Sequence, residues 1–116
     1  MIQEIEEKKT YLLYWMYDFI EDDDEPAYLK KDVEEFDQII TSFISEVNKN
    51  GRDSDFSWLS SKVEALVKTL NLLNAKHENQ LIETDQREDI CALIRLVMAH
   101  AGHACEEDIT EAWREW

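Results

Sequence analysis

Glycine and proline are nearly absent from this chain: Gly51, Gly102 and Pro26 are the only examples among 116 residues. Hairpins and tight turns draw on both residue types, so the shortage weighs against a turn-rich β fold. It weighs equally against a glycine-rich phosphate loop or a Gly-x-Ser-x-Gly nucleophile elbow, and neither motif occurs. Two cysteines, Cys91 and Cys105, are too few for a disulfide framework and read as reduced thiols. No apolar run approaches the roughly 18–20 residues needed to span a bilayer. The opening MIQEIEEKK is acidic and polar, whereas a signal peptide is basic and then apolar. These absences set the expectation of a cytoplasmic protein with no membrane role.

Basic residues are also scarce. Twelve Lys and Arg against 27 Asp and Glu give a net charge of −15. Such a surface repels a nucleic-acid duplex or an anionic membrane. It suits a basic protein partner, whose encounter electrostatic steering would accelerate, or it serves solubility alone.

What is present is helical periodicity. The expectation is an all-α fold, a single domain over residues 1–116, built as a bundle of four main helices plus a short C-terminal helix. The segment Leu81 to Gly102 organises the rest: Ile90, Leu93, Ile94, Val97, Met98 and Ala101 form one amphipathic stripe. Thr84 or Asp85, with Glu88, is placed to cap its start, and Gly102 to end it. Leu59, Val63, Leu66, Val67, Leu70 and Leu73 mark a helix before it. Leu29, Val33, Phe36, Ile40, Phe43, Ile44 and Val47 mark the helix before that, with Pro26 in its first turn and Gly51 at its end. Residues 2 to 22 complete the set. There the run Tyr11, Tyr14, Trp15, Tyr17 and Phe19 is read as helix rather than strand, and as core rather than as an anchor surface. Asp108 and Glu111 are placed to cap a last helix carrying Ile109, Trp113 and Trp116. The two tryptophans would close the bundle end or form an exposed anchor.

Chemistry-bearing patterns are weak. Cys91, His100, His103 and Cys105 are the residue types that bind zinc, yet Cys-x-x-Cys, His-Glu-x-x-His and Glu-x-x-His are all missing. The run Glu21 to Glu25 has neither the glycine nor the distal glutamate of a calcium loop. No catalytic residue, metal or cofactor is therefore expected. Asn71, Asn74 and His77 form a polar row expected to face inward and to hydrogen-bond the next helix start around Glu83, Thr84 and Arg87. In that reading a buried Arg87 pairs with Glu83 or Asp85.

The spacing of Met16-Tyr17, Pro26, Asn71, Ile82-Glu83-Thr84, Arg87-Glu88, Ile90 and a closing tryptophan resembles an uncharacterised family of small helical bacterial proteins. Its most specific piece is the Ile-Glu-Thr-x-x-Arg-Glu segment. The resemblance implies an intracellular helical domain and brings no activity with it. In size, acidity and helicity alone the chain is similar to immunity proteins that neutralise bacterial nuclease toxins.

The expected function is that of a non-enzymatic, immunity-type inhibitor that blocks a basic toxin or nucleic-acid-binding protein. Asp22, Asp23, Asp24 and Glu25 would stand in for phosphates, and Tyr28, Trp58 and Trp116 would supply the desolvated anchors. The alternatives are a self-associating structural or regulatory domain, with monomer and homodimer both open, and a metal enzyme built on the Cys/His cluster.

Overall fold

The computed structural model describes residues 3–22, 28–50, 55–77, 81–82, 84–103 and 109–116. Among the described residues four helices, α1 (Gln3–Asp22), α2 (Lys30–Asn50), α3 (Phe56–Lys76) and α4 (Thr84–His100), precede a 3-10 turn at Ile109–Ala112. No strand occurs among the described residues. The all-α bundle expected from the periodicity is what forms.

The apolar stripes build the core. All six stripe residues of α4 are buried, as are Leu59, Val63, Leu66, Val67, Leu70 and Leu73 of α3 and Val33, Phe36, Ile40, Phe43, Ile44 and Val47 of α2. Each such side chain contributes about 1.5–3 kcal/mol relative to an exposed one. The first helix is different. Among its described side chains the buried apolar ones are Ile5, Leu12 and Met16, a narrow stripe at i, i+7 and i+11; the Phe19 side chain lies outside the described residues. Its last turn holds no basic residue and includes Glu21.

Polar contacts between helices show the directions. Lys62 pairs with Glu46 near one end of α2 and α3, and His77 Nε2 lies 3.4 Å from Asp32 Oδ1 at the other, so these helices are antiparallel. Phe56 meets His103 with ring centroids 6.1 Å apart, while Asn74 accepts from the Ile82 amide, so α3 and α4 also run antiparallel. Lys9 joins α1 to Asp37 and Thr41 of α2, and Lys8 joins it to Asp89 of α4. The closest packing is α1 on α4, α2 on α3 and α1 on α2, with the 3-10 turn lying on α3.

The helix ends carry their own chemistry. Asp55 caps α3, accepting from the Trp58 amide at 2.9 Å. Gly102, at φ +87°, closes α4 in a Schellman motif: the His103 amide donates to Met98 and the Gly102 amide to Ala99. The second helix begins at Lys30, and Pro26, read as part of its first turn, lies outside the described residues. One expectation for α2 is corrected. Leu29 is the capping residue, with its carbonyl accepting from Val33 and its amide donating to Asp32 Oδ2. Lying outside the first turn, Leu29 is 51% exposed rather than part of the buried stripe.

The last helix is also shorter than expected. Trp113 and Arg114 amides both donate to the Thr110 carbonyl, but the Glu115 amide is captured by Asn71 Oδ1. That capture takes the donor a further helical turn would need, so Trp113 and Trp116 lie outside any helix.

Candidate functional site

The surface that stands out is the outer face of α1. Ile5, Leu12 and Met16 turn inward, and at 100° per residue Tyr11 and Tyr14 fall on the opposite side. They are 52% and 61% exposed, and Trp15 beside them is 45% exposed. Trp15 makes an edge-to-face contact with each tyrosine, at centroid distances of 6.2 Å to Tyr11 and 5.4 Å to Tyr14. With Gln3, Glu6, Glu7 and Thr10 the three rings line an open depression of about 520 Å³. Glu4, Glu7 and Glu21 are exposed on this helix, and Lys8 already rests its ammonium 5.6 Å over the Tyr11 ring. The expectation that this aromatic run is core therefore fails for three of its members. The reason is angular: the run is continuous in sequence, but a helix buries only one stripe of it. Tyr17 lies half-buried against the core. Burial, and then the carboxylates of Glu34 and Asp37, push its phenol up from the ordinary value.

A second depression, about 430 Å³, runs between α2 and α3 over Ile39, Phe43 and Leu66. The Lys62–Glu46 pair bridges it at 2.6 Å. On the α1 face Gln3 Nε2 donates to Glu7 Oε1 at 3.0 Å along the helix, and no second helix takes part.

The anchors expected from the sequence are placed otherwise. Tyr28 is 3% exposed and belongs to the core, which corrects its reading as a surface anchor. Trp58 is half-buried, with Lys62 Nζ 5.6 Å over its ring. Trp113 and Trp116 are half-buried against the core, and the Arg114 guanidinium covers the Trp116 ring at 5.5 Å. Asp23, Asp24, Glu25 and the Asp22 side chain lie outside the described residues.

The polar row on α3 does face inward, but it divides its partners. Asn74 Oδ1 accepts from the Ile82 amide at 2.9 Å, docking the approach to α4. Asn71 grips the C-terminal tail instead, donating to Trp113 O at 2.7 Å and accepting from the Glu115 amide at 3.0 Å. His77 faces Asp32. Arg87 is half-buried, not buried, and no ion pair joins it to the exposed Asp85. Glu83 and the Thr84 side chain lie outside the described residues.

The cysteine–histidine cluster has no common centre in what is described. Cys91 meets Thr110 at 3.7 Å in mid-helix, whereas His100 lies about 13 Å further along the same axis. Cys105 lies outside the described residues, and no metal-binding group of His, Cys, Asp and Glu occurs among the described ones. No described helix is long and apolar enough to cross a membrane. Comparison with family models, characterised proteins and solved structures returned no match for the chain.

Proposed function

We propose that this protein is a non-enzymatic, acidic binding domain that covers a basic protein, in the manner of an immunity-type inhibitor acting in the cytoplasm. The observation that carries this reading is the α1 face, where Tyr11, Tyr14 and Trp15 stand exposed beside Glu6 and Glu7. Aromatic side chains supply large contact area at low entropic cost and are enriched where interfaces concentrate their energy. The surrounding carboxylates, on a chain of net charge −15, steer a cationic partner and reject anionic ones. The similarity in size, acidity and helicity to toxin immunity proteins points the same way.

Self-association through the same face is the second reading, favoured by the exposed apolar area. Charge opposes it, because apposing two copies brings like carboxylates together.

The test captures partners from source-cell lysate on the immobilised protein at low and high salt, then titrates the purified captured protein. A basic protein released by salt, and lost from a Tyr11→Leu/Tyr14→Leu bait, is the expected result. Retention indifferent to salt overturns the electrostatic mechanism. Concentration-dependent dimerisation in light scattering, with no partner captured, replaces the reading with self-association.

A further inference from the structure

We infer that the outer face of α1 recognises arginine side chains of its basic partner in preference to lysine. The inference rests on the proposed function and names the chemistry of its recognition. Three features of the face converge on it. Trp15 meets Tyr11 and Tyr14 at interplanar angles of 72° and 82°, so the rings contact by edges and none stacks flat upon another. Each such contact covers one ring face with an edge, and Lys8 lies over Tyr11, which leaves the remaining faces to a further planar group. Glu6 and Glu7 line the same depression as the rings; Glu6 lies 3.6 Å from Lys9 Nζ and Glu7 Oε1 accepts from Gln3 Nε2 at 3.0 Å, so an incoming cation meets their remaining oxygens. The Lys8 ammonium, 3.2 Å from Asp89 of α4, lies 5.6 Å from the Tyr11 ring centroid, so one cation of the chain already faces that ring.

A guanidinium can use ring and carboxylate at once, whereas an ammonium, as at Lys8, can face a ring but cannot stack on it. The guanidinium is planar, so it stacks on phenol or indole while its edge donates paired hydrogen bonds to a carboxylate. It is also weakly hydrated, and transfer to a half-exposed aromatic surface strips less water from it than from an ammonium. Lysine gains the Coulomb attraction alone, which any acidic surface supplies. Arginine preference that depends on the Tyr11, Tyr14 and Trp15 rings is therefore the signature that separates this face from the general charge of the chain.

The test titrates the full chain with deca-arginine and with deca-lysine peptides, by calorimetry, at several salt concentrations. The charges are matched, so a purely electrostatic surface binds them alike. Deca-arginine is expected to bind about five- to tenfold more tightly, and the gap to persist as salt rises. Tyr11→Leu/Tyr14→Leu keeps apolar bulk and helix propensity but removes two ring faces. At these exposed positions the fold is retained, which circular dichroism checks, and the two affinities should converge. Trp15→Leu should narrow the gap independently. Equal affinities in the unmodified protein, or a preference that survives both variants, overturn the inference while leaving the acidic-surface reading intact. Failure of both peptides to bind overturns the two together.

Discussion

Asn71 on α3 donates a 2.7 Å hydrogen bond to the carbonyl of Trp113, which lies 42 residues away in the chain. The same amide group accepts from Glu115. One buried side chain thus holds the tail against the bundle at two points. Asn71→Ala removes both bonds and leaves a carbonyl and an amide without their partners, at a cost of about 1–3 kcal/mol. Asn71→Asp keeps the acceptor but loses the donor, and should be no better. Thermal melts give the stability, and a red shift of tryptophan emission reports release of Trp113 and Trp116.

Tyr17 gives a pH dependence with a definite sign. Its folded-state value lies above the ordinary 10.0, because burial first and then Glu34 and Asp37 disfavour the phenolate. The folded chain therefore holds this proton more tightly than the unfolded chain. The associated stability is fully present below pH 10 and is lost as pH rises through the folded value. Urea unfolding across that alkaline range should show a steeper loss for the unmodified protein than for Tyr17→Phe. Parallel curves would remove Tyr17 as the source.

Gly102 separates backbone strain from steric clash. At φ +87° an added Cβ meets nothing within 4 Å, so Gly102→Ala should cost only the left-handed penalty of about 1–2 kcal/mol. Gly102→Asn should cost less, since asparagine tolerates this region better. Denaturant midpoints of the two variants give the comparison.

Leu70 and Leu72 stand close together on α3 and should behave oppositely. Leu70 is fully buried, and Leu70→Ala should cost about 2–5 kcal/mol. Leu72 is 75% exposed, and Leu72→Ser should stay within about 0.5 kcal/mol of the parent. Equilibrium unfolding in urea distinguishes them.

The stripes of α2, α3 and α4 were legible because each repeats a broad apolar face over several turns, and nearly every member is buried. Leu29 was misread because apolar spacing extends past the true helix start, which the Asp32 carboxylate sets through a bond no periodicity reveals. The α1 site was within reach of the sequence. Tyr11 and Tyr14 diverge from the Ile5, Leu12 and Met16 stripe on a helical projection, but adjacency in the chain suggested shared burial. The division of Asn71 and Asn74 between tail and loop was not within reach, since spacing places both inward and says nothing about what arrives opposite them. Tyr28 shows the converse: it was read as an anchor for a partner, and tertiary packing buries it.

The last turn of α1 lacks any basic residue and includes Glu21, so negative charge sits where the helix dipole is already negative. That end opposes its own helical state by a few tenths of a kcal/mol for the exposed carboxylate. A cation delivered there by a partner would reverse the sign. Occupancy of the α1 face and order of the final turn are then linked equilibria, and each favours the other in proportion to the partner's concentration over its dissociation constant. Amide exchange in that turn becomes a gauge of binding as well as of folding.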